Sequence, residues 1–104
     1  MANESNLYLR KVIHPQAKDN YRVVLKQDGT EVEIGSIGTT FHRTTMPTWR
    51  WGIDTVIPMR ELESEGSGLD LKDCMKKFKA AWLRFCEDPA RLDEFLAAKR
   101  PRHR

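Results

Sequence analysis

The feature that most constrains the fold is an Asp28-Gly29 pair between two alternating stretches, residues 21–27 and 30–34. Two-residue hairpin turns favour Asp-Gly because both turn residues must tolerate a positive φ angle. Folding the chain about this pair predicts an antiparallel hairpin with a definite register. The predicted pairs are Leu25–Val32 and Val23–Ile34 on one face, and Lys26–Glu31 and Val24–Glu33 on the other.

The two faces of this hairpin differ in polarity. One face is apolar throughout, whereas the other carries an opposite-charge pair, as expected of a face in contact with water. A shift of one residue would destroy both features, because successive side chains point to opposite faces of a strand. The pattern therefore predicts a sheet with one buried face. The stretch 35–38, which contains two glycines, is expected to end or bend the second strand.

A third strand is predicted over residues 48–57, between a polar loop at 39–47 and Pro58. Residues 59–68 are rich in Glu, Ser and Gly and are expected to form a polar connector. Alternation along the third strand assigns its side chains to two faces. One face holds Trp49, Trp51, Ile53, Thr55 and Ile57, and the other holds Arg50, Gly52, Asp54 and Val56.

The C-terminal third of the chain has the pattern of two helices. Asp70 is expected to cap the first, with Asp73 three residues later completing a capping box. Asp88-Pro89 is typical of the cap and first turn of a second, shorter helix. Apolar residues at helical spacing predict the buried face of each helix. They are Leu71, Cys74, Met75, Phe78, Ala81, Trp82 and Phe85 in the first, and Leu92, Phe95 and Leu96 in the second.

These elements predict an α+β fold in two layers. A three-stranded antiparallel sheet, made of the hairpin and the third strand, packs under the long C-terminal helix, and the short helix follows. Residues 1–20 are expected to form a partly disordered N-terminal arm, whose apolar residues could make a short strand or a packed segment. Residues 21–98 form a single domain, and residues 99–104 form a basic tail.

Charge and composition limit the possible settings of the protein. The net charge is +3, and Lys99, Arg100, Arg102 and Arg104 contribute four positive charges, so the rest of the chain is near −1. No apolar run approaches the ~20 residues that a membrane-spanning helix needs, and the N-terminal residues do not resemble a signal peptide. A cytoplasmic location is therefore expected, with no membrane partner.

The residues that most often carry chemistry are sparse and scattered. His14, His42 and His103 have no carboxylate or cysteine at the spacing of a catalytic triad or a metal site. Cys74 and Cys86 are separated by about 18 Å along one helix, too far for a disulfide, so reduced thiols are expected. The sequence therefore predicts no catalytic residue, no metal and no cofactor.

The cluster Trp49-Arg50-Trp51 permits two interpretations. Both indoles can fill the core beneath the helix, or they can form a platform that stacks on bases or on a peptide. Arg50 and Asp54 are expected to form a solvated charge pair on the opposite face. The candidate interaction surface comprises Trp49, Arg50, Trp51, Lys99, Arg100 and Arg102.

Two stretches carry a resemblance to known proteins. Residues 49–60, read as Trp-Arg-Trp-Gly-Ile-Asp-Thr-Val-Ile-Pro-Met-Arg, and residues 73–82, which begin with Asp-Cys-Met-Lys-Lys-Phe, resemble a group of short bacterial proteins described as hypothetical. The resemblance covers most of residues 31–100. It implies a small cytoplasmic bacterial protein and carries no activity with it.

Three functional hypotheses remain open from the sequence. The first is a non-catalytic protein-interaction module that binds a protein partner or a second copy of itself. The second is a small accessory nucleic-acid-binding protein that uses the Trp/Arg strand and the basic tail, whose contacts with phosphate would be weak and non-specific. The third is an enzyme of a type that the sequence does not reveal.

Overall fold

The computed structural model describes residues 7–13, 19–27, 29–40, 48–59 and 62–99. Five strands form one antiparallel sheet in the order of the sequence, followed by two helices, so the fold is α+β. The expected three-stranded sheet under a long helix is therefore wrong. The elements are β1 (Leu7–Lys11), β2 (Asn20–Gln27), β3 (Thr30–Thr40), β4 (Thr48–Ile53), β5 (Glu65–Gly68), α1 (Leu71–Phe85) and α2 (Pro89–Lys99).

The two strands beyond the expected three lie at the edges of the sheet. β1 comes from the N-terminal arm, where a short strand or a packed segment was expected, and it pairs with β2. β5 comes from the expected polar connector, and it pairs with β4. The predicted third strand, now β4, stops at Ile53 rather than Ile57. The three strands predicted from the sequence, β2 to β4, are thus flanked on both sides by strands that carry weak local signals.

The register of the β2–β3 hairpin is largely as the turn predicts. Gly29 has a φ of 78°, and Leu25 pairs with Val32. Asp28 lies outside the described residues. The predicted pairing of Val23 with Ile34 is wrong, because a β-bulge shifts the register there and Val23 pairs with Gly35. The bulge leaves Ile34 as an additional, fully buried residue of β3.

Residues 35–38 were expected to end or bend the second strand, and β3 continues through them to Thr40, with its bulge at Ile34 directly before Gly35. Gly35 lies close to the backbone of β4 and to helix α1. A Cβ at this position would be 2.3 Å from the carbonyl oxygen of Gly52 and 2.5 Å from a ring carbon of Phe78. Glycine is therefore required here by the close approach of both the β4 backbone and the Phe78 ring of α1, and it does not end the strand.

Strand β5 has no apolar alternation because its inward positions are glycines. A Cβ on Gly66 would be 2.9 Å from the indole nitrogen of Trp51, and one on Gly68 would be 2.7 Å from the Sγ atom of Cys74. The indole and the helix occupy the space that inward side chains of β5 would fill. A search for alternating apolar residues consequently misses this strand.

Both helix starts have the predicted N-cap residues, Asp70 and Asp88, but the Asp73 carboxylate binds the Leu69 N–H and not the Asp70 N–H of a capping box. The Asp70 carboxylate accepts a hydrogen bond from the Asp73 backbone N–H at 2.8 Å, and the Asp73 carboxylate accepts one from the Leu69 N–H at 2.9 Å. At α2 the Asp88 carboxylate accepts from the backbone N–H groups of Ala90 and Arg91. These bonds satisfy amides that have no partner within the helix itself.

Helix α1 packs chiefly against β3, β4 and β5, and α2 packs against α1 and β3. Met75, expected on the buried stripe of α1, is 43% exposed. No helix in the described part of the chain is long and apolar enough to cross a membrane. The central core consists of Val23, Leu25, Ile34, Ile37, Trp51, Ile53, Ile57, Cys74, Phe78, Ala81, Trp82, Phe85 and Phe95.

Candidate interaction surface

The structure places the two indoles of the predicted surface on the core side of β4. Trp51 is 5% exposed and meets the Phe78 ring edge-on at 6.1 Å. Trp49 is half-buried and packs against the same core. Arg50 is exposed on the opposite face of the sheet. The indoles and Arg50 therefore point to different faces and do not form one exposed platform.

Lys99, expected in the basic tail, is the last residue of α2. Its side chain is 17% exposed and forms an ion pair with the Asp54 carboxylate. Asp54 also binds Arg22 at 2.5 Å. The expected pairing of Asp54 with Arg50 is therefore wrong. Lys99 belongs to the folded body, and Arg100 and Arg102 lie outside the described residues.

The face of the sheet opposite α1 carries a chain of alternating charges. Arg10 forms ion pairs with Glu31 and Glu33 of β3. Arg22 forms ion pairs with Glu33 and with Asp54. Val24, fully buried on this face, is flanked in register by Tyr8 and Glu33. The charges on this face mostly satisfy one another. The chain runs Glu31, Arg10, Glu33, Arg22, Asp54, Lys99.

Asp54 is the most enclosed carboxylate of this chain of charges. Burial acts to raise its pKa, but hydrogen bonds from Arg22 and Lys99 outweigh that effect and hold the pKa below its usual value. A carboxyl whose folded pKa is depressed stabilises the fold above its unfolded pKa, and this contribution is lost as the pH falls through the folded pKa. Asp54 is therefore expected to tie α2 to the sheet most strongly at neutral pH.

Asp54→Asn should lower the free energy of unfolding by about 2 kcal/mol at pH 7, because Arg22 and Lys99 would keep their charges without a carboxylate. The difference from the wild type should begin to shrink below about pH 4, the ordinary pKa of an aspartate, and should disappear only once the pH lies below the depressed pKa of the folded carboxyl. Urea unfolding of both proteins at pH 7 and well below about pH 4 measures this difference in stability. Asp93→Asn, at an exposed position of α2, is the control. Equal losses at the two pH values would contradict the assigned role of Asp54.

The described residues contain no group of three or more His, Cys, Asp or Glu side chains that could hold a metal ion. His14, His42 and His103 lie outside the described residues. The Cys74 thiol is fully buried beside Gly68, and burial raises its pKa. Cys74 is therefore a protonated, enclosed packing group at neutral pH.

One apolar groove lies between β1 and α1. Because α1 packs over β3 to β5, the apolar side of β1 remains only partly covered, and Leu7 and Leu9 are half-buried. The groove has a volume of about 180 Å³. We call it the β1–α1 groove. It is lined by Leu7, Leu9, Val23, Ile37, Met75 and Phe78, with Tyr8 and Lys79 as its polar members.

The two edges of the sheet differ in how they are covered. At β5, the Lys77 ammonium donates a hydrogen bond to the Ser67 carbonyl at 3.1 Å and also pairs with Asp73. At β1, no hydrogen bond from another described residue reaches the outer edge. The β1 edge is also longer, with five residues against four. The open edge and the β1–α1 groove therefore lie side by side.

No protein-family model matches the sequence, and comparisons with curated proteins and with solved structures give no match.

The groove was not predicted from the sequence. The alternation of Leu7 and Leu9 was a signal for β1, and Met75 beside lysines on α1 was a signal for an apolar spot on a charged surface. Neither signal shows that β1 and α1 lie side by side.

Proposed function

We propose that this protein is a non-catalytic protein-interaction module that binds an extended segment of a partner along β1. The observation that carries the proposal is the open edge of β1 directly beside the half-covered apolar groove. Exposed sheet edges bind extended peptides by strand addition, in which backbone hydrogen bonds supply affinity and pockets for alternate side chains supply specificity.

The geometry of strand addition sets the pattern of the bound segment. A strand added to β1 continues the sheet, and its side chains alternate between the two faces. Every second side chain would therefore lie on the face of Leu7 and Leu9, over the groove. The segment should carry apolar residues two positions apart, with other residue types between them.

The composition of the groove supports binding rather than catalysis. Its walls are mainly hydrocarbon, and Lys79 is the one charged residue of the lining, while the Tyr8 hydroxyl accepts a hydrogen bond from Arg10 on the opposite face of the sheet. Such a lining can desolvate apolar side chains and offers no paired acid and base. The β5 edge is a poorer site because a partner strand would have to displace Lys77 from the Ser67 carbonyl.

Peptides selected from a random library, each about twelve residues long and displayed on phage, test the proposal. The full chain should retain peptides with apolar residues at i and i+2. Met75→Glu should weaken these peptides at least roughly tenfold, because it places a charge in the apolar groove. Leu83→Glu is the matched control, since Leu83 is 39% exposed on the same helix and lies outside the groove.

The mode of binding has its own test. Selected peptides with N-methyl groups on alternate backbone amides, in the register that faces β1, should lose affinity because they lack the donors of the added ladder. Methylation in the other register should be tolerated. The proposed site would be refuted by peptides that bind the wild type and Met75→Glu equally. It would also be refuted by peptides whose affinity is unchanged by N-methylation in either register.

A further inference from the structure

We infer that the segment bound at the β1–α1 groove is acidic, with carboxylates on both sides of its apolar residues. The inference rests on the proposed function and names the chemistry of the partner. It follows from the charges that border the groove on its helix side and on its strand side.

The helix side of the groove is cationic. Lys72 and Lys79 lie on the same face of α1 as Met75, three residues before and four residues after it, so they stand one turn on either side. Neither lysine forms an ion pair with another described residue. The single carboxylate of α1, Asp73, is engaged at the helix start and with Lys77. Nothing on this helix neutralises the two lysines.

The strand side adds no negative charge. β1 reads Leu-Tyr-Leu-Arg-Lys and contains no acidic residue. Arg10 already binds both nearby carboxylates of β3, Glu31 and Glu33, on the opposite face of the sheet. Lys11 lies over the ring of Tyr21 at 5.9 Å and has no carboxylate partner among the described residues. The groove is therefore bounded by uncompensated cations.

These charges disfavour a second copy of this chain as the occupant. Two β1 strands paired antiparallel about Leu9 would place both α1 helices on one face of a continuous sheet. Lys72 and Lys79 of the two copies would then border one shared groove, with no carboxylate from either β1 between them. Like charges brought together in this way oppose association. The carboxylates of an acidic partner would instead be attracted by Lys72 and Lys79, and this attraction would also speed association.

Charge reversal on α1 tests the inference. Lys72→Glu/Lys79→Glu should weaken acidic library peptides at least roughly tenfold, and selection against this variant should enrich Lys and Arg instead. Arg50→Glu/Arg84→Glu is the control. It makes the same change in net charge at two exposed positions that lie outside the groove. The control should keep the acidic peptides.

Each outcome has a defined meaning. If no Met75-dependent peptide is recovered, the proposed function fails. If Met75-dependent peptides carry no excess of Asp and Glu, or both double variants weaken them equally, this inference fails while the proposed function stands. If a single-stranded DNA oligonucleotide competes with the peptides as well as they compete with one another, the lysines act as a non-specific polyanion surface, and the inference is likewise overturned. Affinity for acidic peptides that falls with added salt supports it.

Discussion

Gly35→Ala should lower the free energy of unfolding by at least about 3 kcal/mol, although it adds only one methyl group. The new Cβ would lie 2.3 Å from the Gly52 carbonyl oxygen and within 2.6 Å of two ring carbons of Phe78. Relief requires β3 and β4 to move apart or α1 to lift from the sheet. Each of these movements exposes apolar surface that is buried in the native fold.

Urea unfolding monitored by circular dichroism measures this effect. Ser36→Ala is the control, because Ser36 is the next residue of β3 and is exposed on the opposite face. It should change stability by no more than about 0.5 kcal/mol. Phe78→Leu in the Gly35→Ala background should recover only part of the loss, since the Gly52 carbonyl would still be in the way. A Gly35→Ala protein as stable as the wild type would contradict the close packing at this crossing.

Phe95→Ala should destabilise the protein by about 4 kcal/mol and lower its melting temperature by roughly 20 °C. Phe95 is the fully buried side chain of α2. Its ring meets Trp82 at 5.6 Å and Phe85 at 5.2 Å, both edge-on. Removing it leaves a cavity against two rings of α1 and takes away the main apolar attachment of α2 to the body.

Differential scanning calorimetry measures the shift in melting temperature. Phe95→Leu should cost about half as much, because it keeps apolar volume and loses the ring contacts. Glu94→Ala, at the exposed neighbouring position, should change stability by no more than about 0.5 kcal/mol. If Phe95→Ala were no more harmful than Glu94→Ala, α2 would be held by its Asp54–Lys99 ion pair and not by the aromatic cluster.

Both substitutions concern the support of the proposed binding surface. Phe78, which lies against Gly35, also forms the inner wall of the β1–α1 groove. A change at Gly35 would therefore distort the groove as well as destabilise the fold. Phe95 contacts the far end of α1, away from the groove. Variants of Phe95 mild enough to fold should therefore keep peptide binding, which separates stability from recognition.

Predictions from the sequence succeeded where a feature depends on neighbouring residues. The Asp28-Gly29 turn and the alternating pattern predicted that Leu25 pairs with Val32, and the structure confirms it. The Asp70 N-cap was likewise recognisable, because the Asp73 N–H that it binds lies within one turn of it. Such features are determined by backbone geometry over a few residues, and distant packing changes them little.

Predictions failed where distant packing decides the outcome. The glycines of β3 and β5 looked like breaks, but α1 and the Trp51 indole occupy the space above Gly35 and Gly66. The bulge beside Val23 could not be read from an alternating pattern. Asp54 pairs with Arg22 and Lys99, 32 and 45 positions away, and not with Arg50, which is four positions away along the chain. Partners at such distances along the chain leave no periodic trace.

The sequence by itself determined the central hairpin, the two helices and their caps, because local geometry and side-chain periodicity suffice for them. The tertiary structure alone decided the edge strands, the burial of Trp51 and the pairing of Asp54. It also created the groove, whose walls come from β1 and from α1, more than sixty residues later. A groove of this kind exists only once a helix packs across a sheet and leaves one edge strand partly uncovered.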